Sequence, residues 1–333
     1  MKIFRLLFFA VSLVLVALFS GCSKSSSPDD PDPVMNRVTN IFYLPGDTFH
    51  KHTLDVYYKL NPTPNDVVFF VPGGAWRQGD KSKYDTMAMT LATYYDFTVV
   101  VTNYRLSNPD DGAAVHPDHI NDVAAAFSWT TLNIRDYGGN PGSIFLFGQS
   151  AGAHLVSLLA TDTQYLYQHG CSLNDVRGVI SMSAAYQLED FVVFPLNPLG
   201  LNAEEVLIYK GIMTGAFGSY DTTVLNPASP ARHLNGTFPP FLLITTDLDM
   251  PGFVADGREF GSALDLIDPA RVAFFHLLQS DYSAETWISA SEMAAQEPLL
   301  AEYIGHYAEV VAINPQDRNR VPTPWIVEFI RNH

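Results

Sequence analysis

The residues best suited to chemistry lie in the stretch IFLFGQSAGAHL at 144–155, where Gly148-Gln149-Ser150-Ala151-Gly152 has the form G-x-S-x-G. A serine hydroxyl becomes a nucleophile when a base takes its proton and the backbone holds it clear of its neighbours. Small residues on either side let a strand and a helix approach closely while the serine takes up a strained turn. A helix starting after Ser150 would point free N–H groups, that of Ala151 among them, at a developing oxyanion. A second stretch, VVFFVPGGAWRQGDK, places Gly73-Gly74-Ala75-Trp76 directly after an apolar run. Consecutive small residues expose backbone amides, as an oxyanion hole requires; Trp76, Arg77 and Asp80 read as fixing that loop, with a substrate contact open to them. A third stretch, HPDHIND, gathers His116, Asp118, His119 and Asp122, the side-chain types of a metal site. His116, however, precedes Pro117 at a helix start, so the reading is no metal, with Asp122 anchoring neighbouring loops.

These residues need a scaffold, and the chain alternates short apolar runs with helical patterns. VVFFV (67–71), FTVVVTNY (97–104), SIFLFG (143–148), VRGVISMSA (176–184), FLLITT (241–246) and RVAFFHLL (271–278) read as strands covered on both faces. Helices are expected over 83–96, 116–139, 151–162, 257–267 and 323–333, the second opening at a proline and closing at a glycine pair. NIFYL and HTLDVYYKL read as a leading antiparallel hairpin. Such alternation predicts an α/β fold with a doubly wound, mostly parallel sheet. The stretch from about Tyr186 to Asn226, with Pro195, Pro198 and several glycines, reads as irregular and as a small cap over the carboxyl edge of the sheet. No internal repeat is evident.

On PGGAWRQGDKS, VVVTNYRLS, HPDHINDVAAAFSW, YGGNPGSIFLFGQSAGAHL, SPARHLNGTFPPFLLI and DMPGF, the chain from about residue 50 resembles the α/β-hydrolase superfamily. The resemblance is to its esterases and lipases with an H-G-G-x-W oxyanion loop, a group including carboxylesterases, carbohydrate-ester esterases and kynurenine formamidases. Pro72 stands where that loop usually has histidine, and Thr245-Thr246 where His-Gly is usual. The resemblance implies the order Ser, Asp or Glu, His. It implies an acid past the FLLITT strand, where Asp249 is preferred to Asp247 because Asp249-Met250-Pro251-Gly252-Phe253 matches the family surroundings. It implies a base among the late histidines. His276 reads as a core residue of a strand and His333 as a frayed terminus, leaving His306, in IGHYAEVV, as the expected base with a helix following. The long segment SDYSAETWISASEMAAQEPLLAEYIG before it is expected to form helices near the pocket mouth. Ser150, Asp249 and His306 would then hydrolyse esters through an acyl-enzyme, with Gly74, Ala75 and Ala151 as the oxyanion hole and no cofactor. Carbohydrate-linked acyl esters are a substrate class the resemblance implies. The alternatives are an amide hydrolase of the formamidase type and a silent hydrolase fold used for binding.

The amino terminus is a separate element. MKIFRLLFFAVSLVLVALFSGC has Lys2 and Arg5, an apolar core short for a membrane span, and small residues before Cys22. It resembles a bacterial lipoprotein signal, with Phe19 where leucine is usual, and implies cleavage after residue 21 and lipid on Cys22. The Ser/Pro/Asp-rich residues 22–37 read as a solvated tether, and 38–333 as the hydrolase domain. Of the two cysteines, Cys22 and Cys171, lipidation of the first leaves the second without a partner, so no disulfide is expected. A net charge of −16 without any Lys/Arg cluster disfavours nucleic acid, and 47% hydrophobic residues allow a large core. The expected setting is the bacterial cell envelope, acting on small-molecule or glycan-linked esters.

Overall fold

In the computed structural model, residues 34–295 and 303–333 are described. The signal segment, Cys22 and most of the tether lie outside them. Eight strands follow in order: β1 (Asn36–Phe42), β2 (Thr53–Tyr58), β3 (Asn65–Val71), β4 (Thr98–Thr102), β5 (Gly139–Gln149), β6 (Gly178–Met182), β7 (Phe241–Thr246) and β8 (Val272–Leu277). They form one sheet in the order β1-β2-β4-β3-β5-β6-β7-β8, in which β1, β2 and β4 pair antiparallel and β4 through β8 run parallel. The doubly wound sheet and the leading hairpin expected from the sequence are both present, and the first strand begins at Asn36, just before Val38.

Ten helices accompany the strands among the described residues: α1 (Asp85–Tyr95), α2 (Asp118–Asn133), α3 (Ala151–Thr161), α4 (Gln164–Gln168), α5 (Ala203–Phe217), α6 (Thr222–Leu225), α7 (Phe253–Ile267), α8 (Ala284–Ala294), α9 (Gly305–Val311) and α10 (Thr323–Asn332). Side chains of a strand alternate between faces, and β3 shows the result. Val67, Phe69 and Val71 join a core with Val123 and Phe127 of α2, Leu155 of α3 and Phe260 of α7. Val68 and Phe70 join a second core with Leu91 of α1, Ala308 of α9 and Ile326 of α10. Both faces are therefore dry, which is why the strands read as unbroken apolar runs.

The stretch read as irregular differs from that expectation. It contains α5, a helix of fifteen residues whose Asn202 side chain accepts from the Glu204 and Glu205 amides while Glu205 accepts from the Asn202 amide. Tyr209 of this helix donates to the carbonyl of Pro251 at 2.7 Å, fastening the cap beside the loop that carries Asp249.

Candidate active site

Parallel register sets the carboxyl ends of three strands side by side, with Gln149 opposite Met182 and Met182 opposite Ile244. Residues just past those ends therefore line one edge, where ligands of open α/β sheets bind. Ser150 follows β5 directly and opens α3, with φ 56° and ψ −124°. Its amide donates to the carbonyl of Met182 at 2.9 Å, so the neighbouring strand fixes the turn. A non-glycine residue in this region is strained and persists only where its surroundings hold it. The glycines explain how. A Cβ on Gly152 would sit 2.0 Å from the carbonyl oxygen of Val71, and one on Gly148 would sit 2.4 Å from the Gly152 backbone. Helix and strands meet here backbone to backbone.

The glycine loop lies against this turn. A Cβ on Gly73 would approach Gln149 Oε1 to 2.4 Å and Ser150 Cβ to 2.9 Å. Gly74, Ala75 and Trp76 follow with φ of 123°, 49° and 58°. The Gly74 carbonyl accepts from the Arg77 and Gln78 amides, while the Gly74 and Ala75 amides donate to no group among the described residues. At position 72 the proline carbonyl accepts from Tyr104 Oη at 3.1 Å, so a buried tyrosine steadies the loop. Trp76 packs edge-on against His154 and Phe217, and Asp80 accepts from Asn103 and the Ser82 amide. Asp122 receives the Arg105 amide and guanidinium. Burial opposes its ionisation, but hydrogen bonds from His52 and Arg105 hold its carboxyl below the ordinary range. His119 bonds Ser107 at 2.9 Å.

Asp249 and His306 are brought together: Nδ1 of the ring lies 2.8 Å from Asp249 Oδ1, with both side chains buried. The amide of Met250 also donates to Asp249 Oδ1 at 2.7 Å. His306 sits in the first turn of α9, and its carbonyl accepts from Gln149 Nε2 at 2.8 Å, one residue before Ser150. Among the described residues Ser150 Oγ forms no hydrogen bond with the ring; such contacts are often long until substrate arrives. Asp247, the other acid weighed, faces elsewhere. It accepts from the Gln279 amide at 2.9 Å and pairs with His276 at 3.0 Å. The Gln279 bond first and the His276 bond second hold its carboxyl below the usual range. His276 is thus no core residue but a partly exposed one on the edge strand β8, whose other ring nitrogen meets Thr245 Oγ1 at 2.9 Å. His333 bonds the carbonyl of Phe329.

Four residues of this edge escaped the sequence reading. Gln149, Ser183 and Glu309 are buried beside the pair, and Gly305 seats it: a Cβ there would fall 1.7 Å from the carbonyl oxygen of Asp247. The signal for Glu309 was present, as a lone charge three residues after His306 in an otherwise apolar helix. The segment before His306 supplies α8, which packs on α9. With α1 it walls a cavity of about 530 Å³ lined by Tyr84, Met87, Glu285, Val310 and Asn314, a place distinct from the Ser150 edge.

A sheet of this topology with a serine elbow after β5, an acid past β7 and a histidine past β8 defines an α/β hydrolase of the esterase and lipase branch. The chain belongs to the BD-FAE family, whose sequence profile matches residues 54–260. It is 31% identical over 255 residues to the probable carboxylic ester hydrolase LipM of Mycobacterium tuberculosis, covering 70% of this chain and 56% of that one. It is 29% identical over 241 residues to esterase LipC of the same organism, covering 67% and 55%. The chain spans about half the length of the curated relatives it matches. Among solved structures, a truncated carbohydrate esterase from gut microbiota superposes with TM-score 0.65 at 17% identity, covering 91% of this chain and 98% of that one. Esterase B of Lactobacillus rhamnosis, inhibited by a tributyrin phosphonate, does so with TM-score 0.64 at 19% identity, covering 90% and 85%. At these identities the likeness is one of fold.

Proposed function

We propose that this chain hydrolyses carboxylic esters by serine catalysis. The observation that carries the reading is the buried 2.8 Å bond between Asp249 and His306, held by Gln149 next to the strained Ser150. Asp249 Oδ1 accepts a hydrogen bond from the Nδ1–H of His306, which fixes the tautomer and leaves Nε2 as the free base. His306 then accepts the Ser150 proton as Oγ attacks the ester carbonyl. The amides of Ala151 and of Gly74 or Ala75 stabilise the oxyanion, each contributing about 3–4 kcal/mol to lowering the barrier. The alkoxide leaves with the proton from His306, and water, activated by the same ring, releases the acid. The esterase names of its relatives support this reaction class. Acyl esters on carbohydrate are the proposed physiological substrates, and the lipoprotein-like amino terminus supports anchoring at the cell envelope through Cys22.

A fluorophosphonate probe, with a panel of p-nitrophenyl esters graded by acyl length, acetylated and feruloylated glycans, and N-formyl amides, tests this. Wild type should label and turn over esters, and Ser150→Ala should do neither. An unlabelled wild type, or equal labelling of Ser150→Ala, overturns the serine mechanism. Preference for the formamides overturns the ester assignment.

A further inference from the structure

Behind Asp249, on the side away from His306, lie two residues with no part in the mechanism above. Ser183 follows β6 with φ 47°, positive as at Ser150, and is fully buried. Its Oγ lies 2.5 Å from Asp249 Oδ2 and 2.8 Å from Glu309 Oε2. Glu309, on α9 one turn past His306, is also fully buried, and its other oxygen meets Gln149 Nε2 at 3.4 Å. A serine hydroxyl has one proton and cannot donate to both carboxylates. Two unprotonated carboxylates across one hydroxyl would also repel strongly in a dry interior. A second proton must therefore sit in the cluster. Asp249 already has the Met250 amide and the His306 ring on Oδ1, whereas Glu309 has only one long amide contact and no cation among the described residues.

We propose that Glu309 is a neutral carboxylic acid that donates to Ser183, which in turn donates to Asp249 Oδ2. It is a positioning residue, holding Asp249 in line with His306 while leaving the site a single negative charge. The inference rests on the triad reading for its kinetic consequence, but not for the protonation itself. Other titratable groups face Glu309: Asp249 from the loop after β7, His306 from its own helix, and the phenols of Tyr84, Tyr186 and Tyr282. Burial pushes the Tyr84 phenol up to about 12 and the other two higher, so the tyrosines stay neutral. Burial first, and then the Asp249 charge, raise the Glu309 carboxyl well above its ordinary range, in keeping with the hydrogen-bond count.

Two measurements test this. In wild type labelled with carbon-13 at the glutamate carboxyl, carbon NMR at pH 7 should show one protonated glutamate. The only other buried glutamate among the described residues, Glu189, is ion-paired with Arg232. Finding every glutamate ionised overturns the proposal without any variant. Kinetically, Glu309→Ala should lower kcat about tenfold at constant KM, the worth of one buried hydrogen bond. Glu309→Gln, which can still donate to Ser183, should restore kcat to within about threefold, and the acid limb of the kcat/KM profile should not move. An ionised Glu309 predicts otherwise: its removal would let His306 lose its proton more easily and shift that limb down by about one pH unit or more. Such a shift, or equal kcat for the alanine and glutamine variants, overturns the positioning role. Should Ser150→Ala remain active, the triad reading fails while the NMR result still decides the protonation.

Discussion

Gly305→Ala isolates the geometry that holds the acid and the base together. The added Cβ would fall 1.7 Å from the Asp247 carbonyl oxygen, where ordinary contact begins at 3.4 Å. The obstacle is backbone on both sides, so α9 and the loop after β7 must separate by about 1.7 Å. The bond between His306 and Asp249 is 2.8 Å long and spans the same two segments. A displacement of that size takes it beyond 3.5 Å and leaves the imidazole without its orienting partner. Misplacing a catalytic group by about 1 Å costs on the order of 10²-fold in rate, and loss of the orienting acid up to about 10⁴-fold. The expected fall in kcat is therefore about 100-fold or more. Overpacking of about 1–3 kcal/mol should lower Tm by about 2–6 °C, leaving the protein folded at room temperature. The assay is hydrolysis of a short-chain p-nitrophenyl ester, paired with the rate of fluorophosphonate labelling and a thermal melt. Gly211→Ala on α5, where a Cβ meets nothing within 4 Å, is the control. It should keep wild-type kcat and gain about 0.5–1 kcal/mol in stability. A folded Gly305→Ala with kcat within about threefold of wild type would refute the argument.

Asp249→Asn should lower kcat by about 10³–10⁴-fold with KM little changed, whereas Asp247→Asn, which disturbs only His276 and Gln279, should stay within about threefold; comparable losses would reopen the choice of acid. Asp256 is buried against the Tyr186 amide at 2.5 Å, and burial pushes its carboxyl up to about 8. The unfolded chain ionises this group near its ordinary value of 3.8, so between there and about pH 8 only the native state keeps the proton. The stability that protonation contributes is full below that range and declines as pH rises through it. Asp256→Asn is neutral throughout, so its Tm relative to wild type should climb between pH 4 and pH 8, and a difference independent of pH would contradict this.

The sheet was legible because both its faces are buried, which turns six strands into unbroken apolar words. Ser150 was legible because its chemistry is local: strand, elbow and helix are contiguous, and Gly148 and Gly152 mark their close approach. The acid and base were reached through the resemblance, since residues 247 and 249 are both aspartates and only the loop geometry sends one to His276 and the other to His306. His276 looked internal from its apolar neighbours, but β8 is the edge strand and leaves residues 272–276 partly or fully exposed. The helix α5 was overlooked although Asn202 and Glu205 spell a capping box, because the prolines before it drew the reading toward irregular chain. Ser183 gave little sign, and the lone charge of Glu309 in its apolar helix did not say what it faces, since their significance is mutual and depends on β6 and α9 meeting behind Asp249.

The amide of Gln149 reaches the carbonyl of a residue 157 positions downstream. The second letter of the G-x-S-x-G pentapeptide is therefore not free to drift on its own. A change there alters the seat of His306 and the surroundings of Glu309 at once, so positions 149, 306 and 309 can be expected to vary as a set among descendants of this chain. Grafting the pentapeptide of another esterase into this scaffold would import half of a lock whose other half lies near the carboxyl terminus.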